Sequence, residues 1–264
     1  MPSFGFSASA GILAVVVAAL PVALSAQIAD HRAGSLTPGV ESGSFQIAQR
    51  GHAVGTASFR FTATQDGYRS TSLVKVAMQG LDYALSKAEQ LSQANELEHV
   101  QLSATVNGQA VTVAAAPDAV QLLMNISSNG KSSTTHLAAH SGAVFLPDFD
   151  PGALQTLLAL GAERNNRGLW AILPKNAGFI EPIELATYAD QQGTLDGKAI
   201  MVHHIVATIA GAHTDLFSGP ENQLLQAELP EAGFALVRKG FQLKPPAKPI
   251  VPVGGLGAPS ATAK

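Results

Sequence analysis

The sequence predicts a mainly β domain, a curved antiparallel sheet with one main helix packed on or over its concave face. Three observations lead there. Turn dipeptides punctuate the chain at Asp66-Gly67, Asn107-Gly108, Asn129-Gly130 and Asp196-Gly197. Runs of alternating polar and apolar residues lie between them. One segment, beginning at Asp150, carries a full set of helix signals.

The turns set the strand order. Asn-Gly and Asp-Gly tolerate the positive φ that two-residue hairpins need, which makes them the strongest local hairpin signal. Asp66-Gly67 separates TASFRFTAT from YRSTSLVKVAM, and Asn107-Gly108 separates VQLSATV from QAVTVAA. Tight hairpins join only antiparallel strands, so these segments form a meander. Side chains alternate across a strand, so Phe59 and Phe61 point one way and Arg60 the other. The stretch Leu81 to Gln93 fits both periods. Leu81, Leu85, Ala88 and Leu91 match a helix, whereas Tyr83, Leu85, Lys87, Glu89 and Leu91 match a strand. Residue propensity favours helix and the neighbouring sheet favours strand; the strand is preferred.

The helix starts at Asp150, a capping residue, followed by Pro151, whose missing N–H costs nothing at the first helical position. Leu154, Leu157, Leu158 and Gly161 follow at helical spacing, and Arg164–Asn165–Asn166–Arg167 ends the segment. The Leu stripe is either core against the sheet or a movable lid over a cavity.

The ends of the chain speak of export. Ile12 to Leu24 is an uncharged apolar run, too short for a bilayer-spanning helix and of signal-sequence length. Ser25 and Ala26 are small, which places the cleavage after Ala26, with Ser25 as the other choice. No Lys or Arg precedes the run. The expected organisation is a signal peptide at 1–26, a flexible segment at 27–43, one β-rich domain at 44–243 and a Pro-rich disordered tail at 244–264. Five prolines in the tail favour an extended chain, either solvated or a docking strip for an envelope protein or the cell wall. No further stretch suits a membrane span. The expected location is periplasmic or secreted.

Composition removes several chemistries. There is no cysteine, so thiol nucleophiles, thiolate metal sites, disulfides and a lipid-anchoring thiol are excluded. Three of the 16 bases lie in the tail, which leaves 13 against 19 acids and argues against a nucleic-acid partner.

Two segments carry a resemblance: SFQIAQRGHAVGTASFRFTAT, Ser44 to Thr64, and the closing run from Ala199 to Phe241 with its LLQAEL and VRKGF strands. Their succession of strands and turns resembles the ending of a group of uncharacterised bacterial envelope proteins, with sheets similar to LolA/LolB-like half-barrels. That resemblance implies a half-barrel whose curved sheet holds acyl chains against a helical lid. None of the carriers' functional residues matches a position of this chain, so the resemblance implies fold more than function.

No catalytic motif stands out. A G-x-S-x-G elbow is absent, and Ser141 between His140 and Gly142 does not create a nucleophile–base pair by adjacency. His203 and His204 leave opposite faces of a strand, His213 and Asp215 share one, and His136 and His140 share one. Their spacing matches no zinc pattern, and solvent-facing positions account for them. Asp148 and Asp150 flank Phe149, where capping explains Asp150. No cofactor motif is present, and no catalytic or metal-binding residue is assigned. The expected function is binding or carrying an apolar or amphipathic ligand such as a lipid or acyl group. The candidate ligand-binding residues are Phe59, Phe61 and Trp170 on strands and Leu154, Leu157 and Leu158 on the helix. The alternatives are a structural or assembly component of the envelope and an exported hydrolase.

Overall fold

A computed structural model describes residues 41–175 and 178–245. The expected signal peptide, most of the segment that follows it and all but the start of the tail lie outside these residues.

The first half of the domain is a meander of eight strands: β1 (Ser42–Gln49), β2 (His52–Ala63), β3 (Gly67–Met78), β4 (Leu81–Ser92), β5 (Leu97–Val106), β6 (Gln109–Asp118), β7 (Gln121–Ser128) and β8 (Lys131–Ala138). Each pairs antiparallel with the next. The hairpin between β5 and β6 turns through Asn107 and Gly108 at φ 49° and 81°, the left-handed pair that its dipeptide allows. β1 begins two residues before the expected domain start, because Ser42 and Gly43 already pair with Arg60 and Phe59.

The second half holds β9 (Ala143–Phe145), α1 (Pro151–Glu163), β10 (Leu169–Leu173), β11 (Phe179–Thr187), β12 (Gln191–Leu195), β13 (Lys198–Ile209), β14 (Ala212–Ser218), β15 (Leu224–Leu229), β16 (Phe234–Arg238) and β17 (Phe241–Leu243). β11 and β12 take successive stretches along β13, and β17 adds to β12. β16 pairs with β1, which splices the two halves into one sheet. Every pairing is antiparallel except β9 with β10, which are parallel because α1 forms the crossover between them. The sheet curves until β9 packs on β5 and β11 on β8, yet no ladder joins β8 to β9 among the described residues, so it stays open. The expected class, mainly β with one helix, is the observed one.

β4 is a strand along its full length. It pairs residue for residue with β3 and, past one bulge, with β5. Two long ladders outweigh the helical propensity of its residues.

The helix sits inside the curve. Asp150 caps it, Oδ1 accepting from the backbone N–H groups of Gly152 at 2.8 Å and Ala153 at 3.3 Å. Every residue from Pro151 to Gly161 is buried, polar ones included. Gln155 accepts the N–H of Leu224 and donates to Asn222 O, and Asn222 donates to Leu158 O, which clips the helix to the β14–β15 turn. At the other end Arg164 pairs with Glu96 at 2.6 Å and Asn95 donates to Glu163. A helix buried all round and tied at both ends is core rather than lid. On the opposite face of the sheet, Val202, Phe217, Leu225 and Phe241 form a second, small cluster under β12 and β17.

Candidate functional site

Five of the six expected ligand-binding residues meet in the space between helix and sheet. Phe59 and Phe61 stand edge to face with centroids 5.5 Å apart, and Leu154, Leu157 and Leu158 belong to the same buried cluster. Leu157 is fully buried. The structure brings these side chains together as packed interior. Trp170, on β10, is half-buried, packs against the outside of the same cluster and stacks on His140 at a centroid distance of 3.8 Å.

Next to that interior lies a charged cluster. Lys87 and Glu89 share the inner face of β4 with Tyr83, Leu85 and Leu91. Lys87 Nζ lies 2.9 Å from Glu89 Oε2 and 2.8 Å from Asp150 Oδ2, with all three side chains out of contact with water. Asp150 thus joins the helix cap to a buried ion pair. Burial works against the charge on Lys87, but the charges and hydrogen bonds of Asp150 and Glu89 outweigh it and hold the ammonium's pKa above its ordinary value. Burial raises the Glu89 carboxyl; Lys87 pulls it back only in part, and Asp150 pushes it further up. Glu89 therefore takes up a proton more readily than a solvated carboxyl does. Burial, reinforced by Asp148 and Asp150, raises the Tyr83 phenol as well. Gly152 matters here: a Cβ on it would come within 2.5 Å of Ser72 Oγ, so glycine lets the first helical turn settle onto β3. The cluster is sealed, which fits a role in seating the helix. The alternation read from the sequence already puts Lys87 and Glu89 on the face of Tyr83 and Leu91; a cation and an acid two apart on an apolar strand face are the signal that reveals it.

The other face of the same strands is open. Across β1 to β6 it forms a trough of about 700 Å³. The ladder register places its lining in two rows. One runs Ser44, Ser58, Leu73, Ser86, Ser103 and Thr112, each paired with the next. The second runs Thr56, Lys75, Ala84, Thr105 and Ala110 in the same way. At about 4.8 Å between strands, the first row, on six strands, is about 24 Å long and the second, on five, about 19 Å. Leu73, 60% exposed, sits near the middle. A smaller hollow of about 290 Å³ continues past Ser103 and Thr112 to Ser127 and Ser132. None of the six expected residues lines either hollow. Sequence reading missed this face because its residues, mostly small, come from six different strands. The rows exist only once the register is known.

A third hollow, about 200 Å³, lies at the open seam of the sheet, lined by Leu97, Pro117, Leu122, Ile172 and Ile180 with His140 and Ser141 at its rim. The histidines do not converge. His203 faces Asp190 at 2.9 Å on the exposed side, while His204, buried against Phe217, reaches Asp215 at 2.7 Å. His213 meets Thr208 and His136 meets Gln121. Among the described residues no three histidine, aspartate or glutamate side chains form a group that could hold a metal ion, and no helix is long and apolar enough to cross a membrane. No family model, curated protein or solved structure matches the chain.

Proposed function

We propose that this chain is an exported cell-envelope binding module for an amphipathic ligand, such as a lipid or acyl compound, held in the trough on the face of β1–β6 turned away from the helix. The trough carries the reading. Its volume of about 700 Å³ falls in the range of small-molecule sites, roughly 300–1,000 Å³. Its lining mixes aliphatic carbon from Leu73, Ala84, Ala110 and the threonine methyls with a row of hydroxyls, which suits a ligand with apolar and polar parts. The helix side is packed with Phe59, Phe61 and the leucines of α1, so the ligand's place moves from beneath the helix to the opposite face. The signal-sequence pattern and the likeness to half-barrel carriers support the compartment and the ligand class.

The test begins with native mass spectrometry of protein purified from its own host, looking for bound lipid. An acyl probe should then bind saturably in the micromolar range, about −8 kcal/mol. Ala84→Trp, a change at an exposed strand position, should abolish that binding while the far-ultraviolet spectrum stays unchanged. If the folded parent binds no long-chain compound saturably, the reading is wrong. The filled interior then favours a structural or assembly component of the envelope.

A further inference from the structure

We infer that the ligand of the trough is anionic, its acidic head lying over β1–β3 at Lys75 and Lys239 and its tail over β4–β6. This rests on the trough being the binding site and adds its polarity. The whole sequence carries a formal net charge of −3, yet the trough is lined by two lysines and no carboxylate. Neither lysine forms an ion pair among the described residues. Both lie in the β1–β3 half. Lys75 stands on β3, and Lys239 follows β16, its backbone N–H bonded to Ser44 O of β1. Beyond Lys75 the outward positions of β4 to β6 that line the trough, Ala84, Ser86, Ser103, Thr105, Ala110 and Thr112, carry no charge. A cationic half over β1–β3 and a neutral half over β4–β6 complement a molecule with an acidic head and an uncharged chain. A neutral or cationic amphiphile would leave the two ammonium groups without a partner, and a uniformly charged polymer would meet no cation over β4–β6.

The experiment compares palmitate with the matching fatty alcohol and primary amine, each below its micellar concentration, by displacement of an acyl probe. Parent, Lys75→Gln, Lys239→Gln and Ala84→Trp proteins are titrated side by side, each with its circular dichroism recorded. Both lysines are exposed, so their variants should fold as the parent does. Palmitate should bind best. Each lysine variant should lose about two- to five-fold for palmitate, the range of a solvent-exposed ion pair, and nothing for the alcohol. Raising the salt should shrink the preference. Equal binding of alcohol and palmitate, preference for the amine, or unchanged palmitate binding in both lysine variants overturns the anionic head. The trough itself is judged separately. Ala84→Trp protein that still binds palmitate removes the trough as the site, whatever the lysine variants do.

Discussion

Ser72 and Lys87 face each other across β3 and β4 on the inner side of the sheet; one residue along, Leu73 and Ser86 face each other on the outer side. The usual arrangement is inverted at this spot. The lysine is buried, with its side chain fully removed from water, and the leucine is 60% exposed. Most of a protein's surface tolerates a lone apolar residue, but a buried lysine is rare unless paired. Two different demands explain the two sides. Inside, the helix N-terminus arrives with Asp150, and the sheet answers with Lys87. Outside, nothing among the described residues covers Leu73, and it lies in the trough. Where local rules fail on both faces of one strand pair, the inner failure belongs to the construction of the fold and the outer one is the better place to look for a ligand.

The sharpest way to break this comparison is to remove the inner cation. Lys87→Ala should cost about 3–5 kcal/mol, because it leaves Asp150 and Glu89 buried without their partner. Urea denaturation followed by circular dichroism measures it. A cost under 1 kcal/mol would mean that water reaches the cluster and that the inner face is less closed than the packing implies.

The helix gives the next effect. Leu157→Ala should cost about 2–5 kcal/mol, since Leu157 is fully buried and its truncation leaves a cavity. A change near zero would make α1 a lid that opens, and the ligand would return to the helix side.

These two residues also mark what could be read from the sequence. The helix was legible because its signals are local: Asp150, Pro151 and the leucines announce themselves within one short segment. Three hairpins were legible for the same reason, as the left-handed φ at Asn107, Asn129 and Asp196 bears out; at Asp66-Gly67 neither residue is left-handed, and Gly67 is already the first residue of β3. What escaped was everything that depends on register. Whether α1 is lid or core turns on residues far from it, such as Asn222 at the β14–β15 turn and Asn95 between β4 and β5. The parallel pairing of β9 with β10 escaped because a three-residue strand has no period to detect. The two rows of the trough escaped because Ser44, Ser58, Ser86 and Ser103 lie on four different strands. Of the buried cluster, only the placement of Lys87 and Glu89 on the face of Tyr83, Leu85 and Leu91 was visible beforehand; that Lys87 meets Asp150 was not.

A smaller effect separates the two faces by pH. Glu89 has its carboxyl raised from an ordinary value of 4.5, chiefly by burial. The folded protein therefore holds this proton where the unfolded chain has lost it. That contribution to stability is complete below the ordinary value and is lost as pH rises through the raised one. Glu41 and Glu163 are raised in the same direction by burial, so the parent carries their slope too. Glu89→Gln should flatten the decline by the share of Glu89 alone, about 1.4 kcal/mol for each unit of its displacement. Urea midpoints from pH 4 to 8 for parent and variant measure it. Identical slopes would place Glu89 in contact with water.

The smallest expected change is on the outer face, and it is informative because it is small. Ser86→Ala and Leu73→Ser alter exposed side chains of the trough. Neither leaves a buried group unpaired or opens a cavity, so each should shift stability by no more than about 0.5 kcal/mol. Binding should respond differently. Leu73 is the largest aliphatic side chain exposed in the trough, and replacing it with serine removes carbon that an acyl chain would cover, at about 25 cal/mol per Å² of lost contact. Leu73→Ser should thus weaken an acyl probe while leaving the urea midpoint in place. Ser86→Ala should leave the midpoint in place and bind the probe as well as the parent or better. A drop in stability for either variant would show that the outer face carries part of the fold. Unchanged stability together with unchanged binding in Leu73→Ser would take the exposed leucine out of the site and leave the inverted pair without a functional explanation.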